Sequence, residues 1–160
     1  MTDVELVVDF MNTVDHQANT DVLDDADAWR TWLSARGLGE GTTEVRGVRT
    51  ALRAAVGDPE AATSASVSVT VELPAGGVPR LVAPDVVGAV LAAATRLAVL
   101  DRWARVKICP ADDCRWAFYD RSRNHSRTWC SMQVCGNREK ARAWRERARS
   151  DDQLGDRVDQ

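Results

Sequence analysis

The 160-residue chain is 44% hydrophobic, 28% charged and 6% aromatic, which is enough for one or two small domains with a buried core. Ten Gly and five Pro exclude a collagen-like or low-complexity chain, and the most apolar run, 86–100, is interrupted by Arg96 and falls short of a membrane span. The net charge of −3 conceals a segregation: residues 1–100 carry −7, 101–149 carry +7 and 150–160 carry −3.

In chain order, Val4, Leu6, Val8 and Phe10 alternate with Glu5, Val7 and Asp9, a period of two that predicts a short strand. Asp24, Asp25 and Asp27 then precede Trp29, Trp32 and Leu33 at helical spacing, and Gly37 closes that helix. A second helix is expected over 43–56, with Val45, Val48, Leu52 and Val56 on one stripe and Gly57 as its stop. The run 66–73 alternates strictly and, with 78–82 beyond a Pro-Ala-Gly-Gly turn, predicts a β-hairpin. The longest helical pattern spans 84–106, with Pro84 at its first position. The fold class is therefore α+β: a mainly helical N-terminal domain with a small antiparallel sheet over 1–105, a cysteine-bearing basic module over 106–149, and an acidic tail over 150–160 expected to be disordered.

Cys109 and Cys114 are separated by four residues, as are Cys130 and Cys135, with fifteen between the pairs. Two short loops that each carry two thiolates can converge on one tetrahedral Zn2+, a closed structural site. A segment of about forty residues has too little core to fold alone, and metal binding supplies the missing folding energy. A thiol–disulfide switch is the rival use of the four thiols. The formal −2 charge of a tetrathiolate zinc needs balancing cations, for which Lys107, Arg115, Arg121 and Arg127 are at hand. Trp116, Phe118 and Trp129 are expected to form the small core that closes over the metal loops. Beyond Cys135, Arg138, Arg142, Arg145 and Arg149 fall on one helical stripe and Ala141, Trp144 and Ala148 on its neighbour, so one face is expected to dock and the other to present cations.

The stretch CPADDC followed by WAFYDRSRNHSRTWCSMQVCGNREKAR resembles the CGNR zinc-finger family, whose four naming residues stand here as Cys135, Gly136, Asn137 and Arg138. In that family the finger follows an N-terminal ABATE domain, and VDFMNTVD at 8–15, TWL at 31–33 and Gly37-Leu38 are similar to segments of it. The resemblance implies transcriptional regulation, with the finger as the DNA-binding part.

Charge segregation and resemblance together lead to a non-enzymatic regulator with one structural Zn2+ on Cys109, Cys114, Cys130 and Cys135. Asn137, Arg138, Lys140, Arg142, Arg145 and Arg149 are the candidate DNA contacts. The N-terminal domain is then a sensor or dimerisation part, with a homodimer and a small-molecule effector as expected partners. Asp9, Asn12, Asp15 and His16 cluster after the first element and are candidate ligand-binding residues, with a capped turn as the plainer reading. A zinc-stabilised adaptor that docks on an acidic protein surface is the second reading, and a ligand-binding N-terminal domain the third. Asp3, Glu5 and Asp9 stand where an export signal would carry positive charge, so a cytoplasmic protein with no membrane partner is expected.

Overall fold

A computed structural model describes residues 1–41 and 44–155, and the side chains of 150–155 are not described. Its architecture is α+β, with five helices and three separate two-stranded antiparallel sheets among the described residues.

The first element is a helix, α1 (Asp3–Met11), and not the strand that the alternation suggested. Thr2 caps it through a reciprocal box: the Thr2 hydroxyl accepts from the Glu5 N–H at 3.2 Å and the Glu5 carboxylate accepts from the Thr2 N–H at 2.7 Å. Val7 and Met11 complete a helical stripe with Val4, Leu6 and Phe10, all five buried. The period of two came from reading every second residue of a segment that is apolar at most positions.

Two short strands follow, β1 (Val14–Asp15) and β2 (Thr20–Asp21), with Asn19 in the left-handed region between them. Helix α2 (Ala26–Ser34) starts at Asp25, whose carboxylate accepts from the Asp27 and Ala28 N–H groups, and Gly37 at φ 63° follows its end. Trp29 and Leu33 are buried, Trp29 stacks on Trp32, and Arg36 covers the outer face of Trp32 at 4.0 Å. Helix α3 (Val45–Ala55) matches the expected stripe through buried Val48 and Leu52, while the expected start at Thr43 lies outside the described residues.

The hairpin is present but short: β3 (Thr70–Glu72) pairs with β4 (Arg80–Val82) in the register Val71↔Leu81. Val71, Leu73 and Val78 stay exposed because no further sheet lies beneath the pair to bury both its faces. Helix α4 (Val86–Val99) is seven residues shorter at its C-terminus than the pattern predicted, and Pro84 precedes it instead of starting it. Asp85 is the true cap, accepting from the Gly88 N–H at 2.9 Å, and the chain leaves the helix through Asp101 at φ 60°.

Helix α1 lies at the centre, packed on α4, α3 and the sixth strand. That strand belongs to a hairpin the sequence did not suggest, β5 (Val106–Ile108) with β6 (Ala117–Tyr119), in the register Lys107↔Phe118. The two-residue period of strands sends Val106, Ile108 and Ala117 into the main core and Phe118 to the other side, where it packs with Cys109, Ala111, Cys114 and Cys135 in a second core. One hairpin thus has a face in each core. Helix α5 (Asn137–Gly155) runs on from the second core, past the Arg149 at which the sequence reading placed a disordered tail; residues 156–160 of that tail lie outside the described residues.

Candidate metal centre and basic helix

The turn of the β5–β6 hairpin is the first metal loop. The Cys109 N–H donates to the Trp116 carbonyl at 2.9 Å, and the Cys114 and Arg115 N–H groups donate to the Ala111 carbonyl, with Arg115 in the left-handed region. The second loop is a single π-helical turn (Met132–Gly136), in which the Gly136 N–H reaches back to the Ser131 carbonyl at 3.1 Å. A Cβ on Gly136 would lie 2.5 Å from the Met132 sulfur and 3.1 Å from the Trp129 ring, so glycine lets this loop pass directly into α5.

These loops bring the four cysteine sulfurs within 4.8 Å of one another. Cys130 Sγ is 3.5 Å from that of Cys114 and 3.6 Å from that of Cys135. A tetrahedron with Zn–S bonds of about 2.3 Å has edges of about 3.8 Å, whereas a disulfide would require about 2.05 Å. The donor set therefore fits a closed tetrathiolate, and the four cysteines hold one structural Zn2+. No two of the four sulfurs are joined as a disulfide. Burial and the crowding of neighbouring sulfurs push the Cys130 thiol up and bring Cys135 up to about 11. Burial acts against Cys109 too, but the N–H groups of Cys130 and Ala111 that point at its sulfur hold it below its usual value.

The cations stand differently from the sequence expectation. Lys107 donates to the Asp120 carboxylate at 2.7 Å and to the carbonyls of His125 and Arg127, so it shapes the loop over 121–128. Asp120 is wholly buried. Burial opposes its charge, but Lys107 and the N–H groups of Ser122 and Arg127 hold its carboxyl far below the usual carboxylate range. Arg127 donates to the carbonyls of Trp129 and Cys130 and so braces the second loop. The cation at a sulfur is instead Arg138, which donates to Cys135 Sγ at 3.6 Å while it pairs with Asp113 at 2.7 Å. Trp116, expected in the small core, is exposed; Phe118 is buried there and Trp129 packs at its edge.

Arg115 points away from the metal and into the N-terminal domain. It donates twice to Asp58, once to Glu60, and lies 3.5 Å from His16 Nδ1. Asp58 also accepts from buried Arg53, whose other nitrogens donate to the carbonyls of Met11 and Arg115. Burial opposes charge on Asp58, but the flanking Arg53 and Arg115 hold its carboxyl below the usual range. The sequence reading missed this network. Its one signal was Arg49 and Arg53 set four apart within an otherwise apolar helical face; Arg49 grips Asp21 through two nitrogens and donates to Thr13.

Each of the four candidate ligand residues has a protein partner, although the buried Nε2 of His16 has none among the described residues. Asp9 pairs with Arg36 at 2.8 Å, and Asp15 accepts from the N–H groups of Gln17 and Ala18. Asn12 exchanges two hydrogen bonds with the backbone of Ala117, and His16 faces Arg115.

Two family models match in tandem. The model of ABATE, described as "Putative stress-induced transcription regulator", matches residues 5–119, and that of the CGNR zinc finger matches 105–148. The chain belongs to the ABATE family. The two matches overlap over 105–119, which is the hairpin with a face in each core. No curated protein matches this ABATE chain.

Beyond the metal centre, every residue of α5 from Lys140 to Arg149 is exposed. The expected docking face is therefore not docked: Trp144 is 66% exposed and Ala141 and Ala148 are open to solvent. Arg142 reaches Asp112 of the first metal loop and Glu146, both at 3.2 Å. Lys140, Arg145, Arg147 and Arg149 make no ion pair among the described residues, and Asn137 is exposed at the first position of the helix. No helix among the described residues is long and apolar enough to cross a membrane.

Proposed function

We propose that this ABATE protein is a cytoplasmic DNA-binding regulator without catalytic activity. In this reading the zinc loops hold α5 as the DNA-binding element and the N-terminal domain senses an effector or mediates homodimerisation. The observation that carries the reading is that every residue of α5 from Lys140 to Arg149 is exposed, with Lys140, Arg145, Arg147 and Arg149 making no ion pair among the described residues. Cations so placed attract a polyanion, because each that meets a phosphate releases condensed counterions. The family description and the +7 charge of 101–149 point the same way.

The full zinc-loaded chain, titrated with a 30-base-pair duplex at rising salt, tests the reading. If the four cations each neutralise a phosphate, log K falls against log salt with a slope of about −3.6. Arg145→Glu with Arg147→Glu then abolishes most of the affinity. An absence of salt-dependent duplex binding overturns the reading and leaves the adaptor function, for which an acidic protein partner is the probe.

A further inference from the structure

The distribution of residues around α5 carries the DNA-binding reading further. At about 100° per residue, Asn137, Ala141, Trp144 and Ala148 share a stripe about 60° wide. Arg138, Arg142, Arg145 and Arg149 form a row along one side of it, Lys140 and Arg147 a row along the other, and Glu139 and Glu146 lie opposite. Of the longer row, Arg138 and Arg142 are partly engaged by Asp113 and Asp112 near the metal, which leaves Arg145 and Arg149 the more available. Over 137–149 the helix therefore has an apolar centreline between two lines of positive charge, with Glu139 and Glu146 turned away; Asp151 and Asp152 return to the edges of the stripe, so the cationic face ends at Arg149.

That arrangement matches one polyanion surface closely. The major groove of B-DNA is about 12 Å wide, close to the diameter of a helix with its side chains, and its two walls are rows of phosphates. A helix lying in it needs cations on both flanks, small or apolar groups toward the base edges, and acids outward. Accordingly we infer that α5 enters the major groove with the stripe Asn137, Ala141, Trp144 and Ala148 facing the base edges, where its apolar members meet thymine methyl groups. The inference rests on the DNA-binding reading above and assigns to it a groove, a face and a preference for A·T pairs. A membrane surface suits the stripe less well. One indole and two alanine methyls bury little apolar area, and even a myristoyl chain gives only marginal attachment. A second copy of α5 would set two cationic helices against each other.

The test uses the full zinc-loaded chain and two substitutions that add the same charge at the same depth on opposite sides of the helix. Ala141 and Ala143 are both exposed, two residues apart and about 200° apart around the axis. Glutamate is a good helix former, so Ala141→Glu and Ala143→Glu retain the fold, checked by zinc content and circular dichroism. On an alternating A·T duplex, Ala141→Glu is expected to lose at least about ten times more affinity than Ala143→Glu, because only the former puts a carboxylate among the bases. Replacing thymidine by deoxyuridine in the same duplex removes only the methyl groups and is expected to weaken wild-type binding about fourfold per contacted methyl. Equal losses from the two variants, or unchanged affinity on the deoxyuridine duplex, overturn the groove assignment while duplex binding itself still stands. If the wild-type chain binds no duplex at all, the DNA-binding reading falls and this inference with it.

Discussion

Asn12 uses its side-chain amide as a strand uses its backbone: it donates to the Ala117 carbonyl at 2.9 Å and accepts from the Ala117 N–H at 2.8 Å. Helix α1 is thereby attached to the edge of the zinc-bearing hairpin. Asn12→Ala leaves both backbone groups of buried Ala117 without a partner and should cost about 1–3 kcal/mol, read from the urea midpoint. His16 supplies a pH dependence. Burial, then the charges of Arg115 and Arg53, hold its imidazole below the ordinary 6.5. Its contribution to stability is therefore present above pH 6.5 and is lost as pH falls below that value, since the unfolded chain then binds the proton more readily. Asp58, also held low, adds a second loss only below its ordinary 3.8. The midpoint for the wild-type chain should fall between pH 7.5 and 5.5, and His16→Asn should flatten that slope; an equal slope in the variant would show that another group titrates.

The junction of the second metal loop with α5 decides what each arginine of the helix can do. Arg138 sits where the helix leaves the metal, against Cys135 Sγ and Asp113, whereas Arg145 reaches no acid among the described residues and donates only to the Ala141 carbonyl. Residues that hydrogen-bond metal ligands typically govern affinity by about 10–100-fold. Arg138→Ala is accordingly expected to yield zinc to a chromophoric chelator in that range more readily than wild type, and Arg145→Ala to match wild type. Identical behaviour of the two variants would remove Arg138 from the metal centre. Helical spacing places both arginines on one row; what separates them is the contact of Arg138 with Cys135 Sγ and Asp113, which only the folded metal loops create.

Across the whole molecule, the two cores share one hairpin, and Arg115 ties the metal loop to Asp58 and Glu60 of the N-terminal domain. Zinc removal should therefore not unfold the C-terminal part alone. Without the metal, Cys109 and Cys114 no longer fix the turn of β5–β6, and Val106, Ile108 and Ala117 lose their hold on the main core. Chelation is expected to lower the Tm of the full chain by at least about 10 °C, since about 2–4 °C corresponds to 1 kcal/mol at this size. Hydrogen exchange at the amides of α1 should accelerate in the same sample. Unchanged protection of Val7 and Phe10 after chelation would show two independent units.

The four cysteines and their spacing determined the metal, because thiolates in two short loops need little else to form a tetrahedral site. Capping and breaking residues likewise determined α2, where Asp25 and Gly37 act within a few residues of the helix they bound. Residues 3–11 were misread because an apolar segment with few polar interruptions satisfies both periods; the Thr2–Glu5 box was the local sign that separates them. The hairpin at 106–119, the network around Asp58 and the open face of Trp144 were decided by the tertiary structure alone. Each depends on what lies across from a residue and not beside it in the chain. Arg53 and Asp58 are buried together because α1 and the metal loop close over them, and Trp144 stays in solvent because no element of the described chain packs against α5 beyond the metal loops.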